Sequence, residues 1–261
     1  MNLIKEFEIE NGVLKKYNGS DEDVVIPDGV VEIGNQSFRD CAHIKNITIP
    51  GSVTHIGNEA FKGCTHLESI TIPKSVTAIG SNAFWYCGHI CSITVEKGNT
   101  KYHSSGNCLI ETQSKTLIRG CNNSTIPSDG SVTAIGEGAF AGCWHIDNIV
   151  IPHSITSIGE NAFFGSSISN ITLPNSVVSI GKAAFCWSLL RSITIPYGVT
   201  TIEEDTFFQC YYLESVSIPS SVTYISKGAF VSCNMLYRIY VPQNATIAKG
   251  AHDSCIQIWT V

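Results

Sequence analysis

Apolar positions recur along this chain with a period of 22 or 23 residues that is interrupted once. Each period reads as an alternating run of the type Ile-Thr-Ile, then Pro, then Val and Ile three residues apart, and then Ala-Phe. The phenylalanine marks the period at Phe38, Phe61, Phe84, Phe140, Phe163, Phe185, Phe207 and Phe230. A repeat of this length predicts a solenoid, because one coil cannot bury its apolar face alone and must stack on its neighbours.

The alternating run predicts one short strand in every coil. Alternation with a period of two residues sends one face of a strand inward and the other outward. Proline follows most of these runs, as at Pro50 and Pro73, and closes the strand because it has no N–H to donate. Ala-Phe then begins a short irregular or helical segment on the opposite side of the coil. The predicted fold class is a repeat solenoid of about eight coils with short parallel strands.

The interruption of the period and the two ends of the chain predict additional hairpins. The extra residues contain two short strand patterns, Cys108–Glu111 and Thr116–Arg119, which predict an inserted β-hairpin. Asn11-Gly12 between alternating apolar residues is a strong hairpin signal near the N-terminus. Cys255–Val261 alternates again and predicts a last strand. Within a single domain of residues 1–261, the predicted segments are an N-terminal hairpin cap (1–26), coils 1–3 (27–95), the inserted β-hairpin (96–126), coils 4–8 (127–241) and a C-terminal cap (242–261).

Charge and hydropathy exclude two classes of partner. The chain has 16 Lys and Arg against 22 Asp and Glu, a formal net charge of −6, whereas a nucleic-acid surface needs clustered cations to neutralise phosphates. No apolar run approaches the roughly 18 residues of a membrane helix, so we expect no membrane insertion. The first residues also contain no apolar stretch long enough for a signal peptide.

The eleven cysteines are distributed as repeat positions and not as a disulfide framework. Six of them lie three residues after a repeat phenylalanine: Cys41, Cys64, Cys87, Cys143, Cys210 and Cys233. Because equivalent positions of stacked coils lie in register, these predict a column of small buried thiols. The other five show no pairing pattern: Cys91, Cys108, Cys121, Cys186 and Cys255. We therefore expect free thiols, which suit a reducing or anaerobic environment.

The repeat "IPxSVTxIGxxAFxxCxxLxSITIP" resembles the BspA-like leucine-rich repeats of the Treponema pallidum type, over roughly residues 24–242. The resemblance implies a right-handed, curved β/α superhelix with its strands on the concave face. It also implies a protein ligand, such as a host surface or matrix protein, a role in adhesion, and a location at the cell surface or outside the cell. These implications are a fold-level analogy, and the family supplies no catalytic residues to transfer.

A column of histidines is the one arrangement that suggests metal chemistry. His43, His66 and His89 each lie five residues after a repeat phenylalanine, so their rings are expected about 5 Å apart in successive coils. Imidazoles so placed could share a transition metal. The alternative, which we favour, is a polar ladder at the edge of the sheet. No phosphate loop, nucleophile elbow or paired carboxylates are present, so we expect neither an enzyme nor a cofactor.

The outward strand positions carry small polar residues. Examples are Ser69/Thr71, Ser92/Thr94, Ser192/Thr194 and Ser215/Ser217. A face of hydroxyls and amides could contact a polypeptide or a glycan. The alternative is that Ser and Thr simply suit a solvated strand.

Tyrosines are concentrated in the last coils, where six of the nine lie between residues 197 and 240. Tyr240 and Arg238 occupy outward strand positions that hold Thr, Ser or Asn in earlier coils. Exposed Tyr and Arg dominate interface hot spots. The alternative is that bulky residues of the final coil pack the C-terminal cap. The predicted binding residues are Tyr211, Tyr212, Tyr224, Tyr237, Arg238 and Tyr240.

These observations predict a non-catalytic binding protein that presents its solenoid surface to a protein, in a role related to adhesion. An intracellular interaction scaffold is the main alternative. A metal-binding protein or an enzyme that uses the histidine column is the least favoured hypothesis.

Overall fold

The structure, a computed structural model, describes residues 6–146, 149–254 and 256–260. The chain forms two compact units. Unit 1 ends at Ser114 and also takes in Arg119–Ser124, and unit 2 consists of Lys115–Ile118 and the residues from Thr125 onward. Across the described residues the named elements are all β-strands, and no helix is long and apolar enough to cross a membrane. The single domain and its segment boundaries stay predictions.

Unit 1 contains two kinds of strand in each coil. Its strands are β1 (Phe7–Glu10), β2 (Val13–Tyr17), β3 (Asp23–Val25), β4 (Glu32–Ile33), β5 (Asn46–Thr48), β6 (His55–Ile56), β7 (Ser69–Ile72), β8 (Ala78–Ile79), β9 (Ser92–Val95), β10 (Tyr102–Ser105) and β11 (Cys108–Glu111). The longer strands correspond to the Ile-Thr-Ile run and pair in parallel, β3 with β5 and β7 with β9. The two-residue strands form a second parallel column in the order β2-β4-β6-β8. The sequence predicted the longer strands, but it gave the second column only as inward-pointing Ile positions.

Unit 2 repeats this arrangement. Its strands are β12 (Thr116–Arg119), of which the first three residues belong to this unit, β13 (Ala134–Ile135), β14 (Ser157–Ile158), β15 (Ser179–Ile180), β16 (Ser192–Thr194), β17 (Thr201–Ile202), β18 (Ser215–Ser217), β19 (Tyr224–Ile225), β20 (Arg238–Val241), β21 (Thr246–Ile247) and β22 (Gln257–Thr260). Short strands pair in parallel from β12 to β15 and again from β17 through β19 to β21. The longer strands pair as β16 with β18 and β20 with β22. Strand β22 is the predicted last strand, although Cys255 and Val261 lie outside the described residues.

The phenylalanine segment of each coil is a pair of turns. Around Phe185, Ala183 and Trp187 have φ values of 50° and 60°, and the residues two before and two after each of the other seven phenylalanines also have positive φ. Left-handed residues cannot continue a right-handed helix. The phenylalanine N–H instead donates to the next coil, as from Phe163 to the Ala184 carbonyl at 2.8 Å. A helix at this position, which the β/α description implied, is therefore absent from the described residues.

The phenylalanine rings stack along each unit. Five rings in unit 2, from Phe140 to Phe230, have centroids 5.2–5.7 Å apart and interplanar angles of 2–9°. In unit 1, Phe38, Phe61 and Phe84 stack at 5.2 and 5.5 Å. All eight rings are buried, so each coil fixes the position of the next.

The N-terminal hairpin occupies the position of a coil before the first repeat. Asn11 and Gly12 have φ values of 50° and 77°, which suits a tight hairpin turn, and β1 pairs antiparallel with β2. Tyr17 at the end of β2 places its ring 5.2 Å from Phe38 and donates its N–H to the Ser37 carbonyl at 2.9 Å. Tyr17 therefore takes the position that a phenylalanine has in the other coils and covers the end of the stack.

The inserted residues complete the third coil of unit 1 with side chains. Asn99 donates from its amide to two carbonyls of that coil at 2.9 Å, and Tyr102 accepts the Ile79 N–H at 3.0 Å. Arg119, almost fully buried, donates to the Cys87 carbonyl at 3.1 Å. These groups satisfy backbone atoms that would pair with the next coil elsewhere in the repeat.

Both strands predicted for the inserted hairpin have the predicted bounds, since β11 covers Cys108–Glu111 and β12 covers Thr116–Arg119. The sequence missed β10, which pairs antiparallel with β11.

The cysteine column is a ladder of hydrogen bonds from thiols to carbonyls. Cys64 donates its S–H to the Phe38 carbonyl of the preceding coil at 3.2 Å, and Cys233 donates in the same way to the Phe207 carbonyl at 3.1 Å. All ten described cysteines are free, and the repeat cysteines other than Cys41 are buried. Cys255 lies outside the described residues. The thiol thus satisfies a buried carbonyl as well as filling space.

Ala183→Gly tests the cost of the left-handed turn. An alanine at positive φ is strained by about 1–2 kcal/mol, and glycine relieves this strain although it loses more backbone entropy on folding. We expect a net stabilisation of about 0.5–1 kcal/mol in urea unfolding. The control is Ala184→Gly at the adjacent buried position, which has no positive φ and should destabilise the protein. Equal destabilisation by both variants would contradict this account of the turn.

The buried thiols should make the protein less stable at alkaline pH. Burial, assisted by the neighbouring Cys210, raises the pKa of Cys186 to about 12, and burial raises the pKa of Cys210 to about 11. An unfolded thiol titrates near pH 8.5, so above that pH the unfolded state loses protons that the folded state keeps. Stability should be complete below about pH 8.5 and should then fall by up to about 1.4 kcal/mol per pH unit for each thiol.

Urea unfolding between pH 7 and pH 10 measures this slope. The variant Cys210→Ala should show a shallower slope, whatever its stability at pH 7. An identical slope in the variant and the parent would show that the Cys210 thiol is not responsible.

Candidate functional site

Exposed aromatic side chains are concentrated in unit 2. Of the large apolar side chains that are exposed among the described residues, unit 1 contributes only Ile9, Val25 and Val31. The exposed aromatic residues all belong to unit 2: Trp144, Trp187, Tyr197, Tyr211, Tyr212, Tyr224, Tyr237, Tyr240 and Trp259. Tyr and Trp side chains are enriched at protein interfaces relative to the rest of a protein surface. Unit 2 is therefore the candidate interaction surface.

The predicted binding residues lie on three different parts of the coil. Tyr211 and Tyr212 lie in the turn that follows Phe207, and Tyr237 directly precedes β20. Arg238 and Tyr240 lie on β20 itself, whereas Tyr224 lies on the short strand β19. All of the tyrosines are exposed, with values of 66% for Tyr237, 52% for Tyr212 and 46% for Tyr240. The chain brings the β20 residues together with the final strand and leaves Tyr224 on the separate short-strand column.

A cluster at the end of unit 2 holds Tyr240 in place. Strand β22 pairs with β20 so that Tyr240 lies opposite Trp259, with ring centroids 6.4 Å apart. The Arg238 guanidinium lies over the Trp259 ring, 5.8 Å from its centre, which is within cation–π distance. Trp259 is itself half exposed. The cluster therefore combines cap packing with an exposed aromatic surface.

Sequence reasoning missed Trp259 as a partner of Tyr240. The pairing joins residues 19 apart, whereas equivalent residues of the other coils are 22 or 23 apart. The period therefore does not place Trp259 beside Tyr240. The alternation around Ile256 and Ile258 was the only available signal, and it predicted a strand without a register.

A cleft of about 450 Å³ lies on the outer face of the long strands of unit 2. Its lining consists of Ser192, Ile193, Thr194, Ser215, Val216, Ser217, Ile218 and Tyr240. The hydroxyl-bearing residues come from the outward positions of β16 and β18, and Tyr240 comes from β20. No ionised residue lines the cleft.

The histidine column forms a ladder of ring stacking and carbonyl hydrogen bonds. The rings of His66 and His89 stack at 5.2 Å, as the repeat predicted, and their Nδ1 atoms lie 2.6 Å from the carbonyls of Ala42 and Thr65 in the preceding coil. His43 stacks at 6.2 Å on Tyr17 instead. Within the residues that the structure describes, no three His, Cys, Asp or Glu side chains form a group that could hold a metal ion.

Stability measurements on alanine variants of Tyr237 and Tyr240 distinguish a ring that packs the cap from a ring that is available to a partner. Tyr237→Ala should leave urea stability within about 0.5 kcal/mol of the parent, as for other exposed substitutions. Tyr240→Ala removes the contact with Trp259 and should cost about 0.5–1.5 kcal/mol. Trp259→Ala should cost a similar amount, and the double variant should cost less than the sum. Strict additivity would show that the two rings do not stabilise each other.

The sequence matches the family described as BspA type leucine rich repeat region, in six copies over residues 8–130 and 133–259. Curated proteins give no match of comparable significance.

Several solved structures have the same fold. A leucine rich cell surface protein from Faecalibacterium prausnitzii is 30% identical with a TM-score of 0.66, over 92% of this chain and 59% of that one. A leucine-rich repeat protein from Eubacterium ventriosum is 21% identical with a TM-score of 0.61, over 92% and 87% of the two chains. The pneumococcal vaccine antigen PcpA is 20% identical with a TM-score of 0.58, over 92% and 68%. The chain thus spans 59% of the first of these relatives, and the last two show the fold alone.

Proposed function

Since the chain belongs to the BspA-type leucine-rich repeat family, we propose that it is a non-catalytic protein that binds a protein partner in adhesion, through the aromatic surface of unit 2. The observation that carries this proposal is the confinement of exposed aromatic side chains to unit 2 among the described residues. A solvated repeat surface has no structural need for these rings, and Tyr and Trp bury a large area on binding at a small entropic cost.

The partner is a protein of a host surface or of the extracellular matrix. Support comes from the Faecalibacterium prausnitzii relative, which carries the description of a cell surface protein. A chain that displays this surface acts at the cell surface or outside the cell. The free thiols instead favour an intracellular scaffold, which is the competing hypothesis.

The residues proposed to contact the partner are Tyr211, Tyr212, Tyr237, Arg238 and Tyr240. Tyr224, which lies on the separate short-strand column, is proposed as a peripheral contact. Tyr212 and Tyr237 are the most exposed of these tyrosines, at 52% and 66%. Their loss should affect binding and not folding, because neither ring contacts another ring among the described aromatic pairs.

A binding assay against a panel of purified extracellular-matrix proteins and intact epithelial cells tests this function. The double variant Tyr212→Ala/Tyr237→Ala should weaken binding at least about thirtyfold, which corresponds to about 2 kcal/mol for a hot spot. The matched control is Tyr197→Ala, which removes a tyrosine that is 68% exposed and follows its long strand after Pro196, outside the set of residues proposed to contact the partner. Its binding should equal that of the parent. Failure to bind any member of the panel, or equal losses in both variants, would reject the proposal.

A further inference from the structure

The cleft beside Tyr240 has a lining unlike that of a protein-binding patch. Four hydroxyl-bearing side chains form its floor, because Ser192 lies opposite Ser215 and Thr194 lies opposite Ser217 in the parallel register of β16 and β18. Strand spacing places these pairs about 4.8 Å apart across the sheet and about 6.6 Å apart along it. The floor is thus a small rectangle with a hydroxyl at each corner.

These hydroxyls are available to a ligand. All four residues are exposed, and their side chains make no hydrogen bond to the protein in the part of the chain that the structure describes. In unit 1 some of the equivalent residues are paired instead, since Thr71 and Thr94 are hydrogen-bonded to each other at 2.9 Å and Asn46 donates to Asp23 at 2.7 Å. Each free hydroxyl offers one donor and two acceptor positions.

An aromatic ring forms one wall of the same cleft. Tyr240 follows Ser217 by 23 residues, one repeat period, and replaces the small residue of that column with a ring. Contact with Trp259 restrains this ring from the side away from the cleft. A restrained ring loses little conformational entropy when a ligand packs on it.

The lining also favours an uncharged ligand. It contains Ser, Thr, Ile, Val and Tyr and no ionised side chain, so a charged ligand would lose its hydration without gaining an opposite charge. A neutral polyol with one apolar face matches the lining. Its hydroxyls can exchange donors and acceptors with the four hydroxyls of the floor, and its C–H face can pack on the Tyr240 ring. The volume of about 450 Å³ falls within the range of small-molecule sites.

From this combination we propose that the cleft lined by Ser192, Thr194, Ser215, Ser217 and Tyr240 binds a neutral saccharide, one pyranose unit of a glycan at a time. The proposal goes beyond the protein contact described above and does not depend on Tyr212 or Tyr237. A glycan on a surface glycoprotein is one source of such a ligand, and a free polysaccharide is another.

Saturation-transfer NMR with the full chain tests the proposal. The probes are methyl glycosides of neutral hexoses, a deoxyhexose and N-acetylhexosamines at millimolar concentration, with the methyl glycosides of glucuronic acid and sialic acid as charged comparators. We expect saturation transfer to at least one neutral glycoside and none to the charged ones. Comparing the saturation transfer to terminal glycosides with that to internal units of soluble polysaccharides then distinguishes a glycoprotein glycan from a free polysaccharide.

Four variants locate the site. Tyr240→Ala should weaken binding about tenfold, whereas Tyr240→Phe, which keeps the ring, should bind like the parent. Thr194→Val keeps the shape and removes one hydroxyl, and it should weaken binding about fivefold. Thr48→Val makes the same change at the equivalent position of unit 1 and should have no effect. Melting temperatures of all variants identify any loss that is due to unfolding, and Thr194→Val decides the question if Tyr240→Ala is unstable.

The proposal is overturned if no neutral glycoside shows saturation transfer, or if only the charged glycosides do. It is also overturned if Thr194→Val and Tyr240→Ala, both folded, bind as tightly as Thr48→Val. Loss of saccharide binding by Thr194→Val with retained protein binding would separate this site from the surface that contains Tyr212 and Tyr237. Saccharide binding by a parent chain that binds no protein of the panel would reject the protein contact and leave the saccharide site standing.

Discussion

The hydrogen bond from a phenylalanine N–H to the carbonyl of the residue before the next repeat phenylalanine sets the geometry of both units. It recurs at 2.7–3.0 Å from Phe38, Phe61, Phe140, Phe163, Phe185 and Phe207, and Phe230 donates at 2.7 Å to the equivalent Ala251 carbonyl. Because this bond runs between coils, the phenylalanine segment cannot satisfy its backbone within itself as a helix would. Left-handed residues on both sides of the phenylalanine then become necessary, and the rings are brought to stacking distance.

Side chains of the repeat also form hydrogen bonds to the neighbouring coil. Ser75 donates to the Val53 carbonyl at 2.6 Å, and Cys87 donates to the Phe61 carbonyl at 3.1 Å. A coil that lacks a neighbour therefore leaves several buried carbonyls and N–H groups unsatisfied, each at a cost of about 1–3 kcal/mol. The hairpin that ends in Tyr17 and the insertion that carries Arg119 both supply substitute groups at such positions. Both additions to the repeat therefore meet the same requirement, which is to satisfy the buried backbone groups of a coil that lacks a neighbour.

The bonds between coils leave two kinds of position for recognition, the outward residues of the long strands and exposed side chains beside them such as Tyr212 and Tyr237. Inward positions are occupied by the core, and the backbone of the turns and the repeat serines are committed to bonds between coils. The outward residues of the long strands are exposed, so they can differ between units at little cost to stability. Unit 1 contains polar pairs such as Thr71 and Thr94 at these positions, whereas the four Ser and Thr hydroxyls beside Tyr240 in unit 2 are not bonded to one another. The difference between the two units is thus chemical and not architectural.

The sequence by itself determined the solenoid, the long strands, the inward columns, the buried cysteine column and the N-terminal hairpin. Each of these depends on residue type at a fixed period, which stacking converts directly into contacts. The period also predicted the stacked pair of His66 and His89. It marked Arg238 and Tyr240 as departures from the repeat, although it could not tell exposed residues from cap residues.

Only the tertiary structure decided the features that depend on a partner outside the period. The left-handed turns carry Gln, Glu, Tyr and Trp as well as Gly, so residue type does not reveal them. The pairing of Tyr240 with Trp259 breaks the repeat register, and the strand β10 lies in the insertion, where no repeat exists. The free hydroxyls beside Tyr240 are likewise visible only in three dimensions, because a serine that is bonded to a carbonyl and a serine that is open to a ligand are the same letter in the sequence.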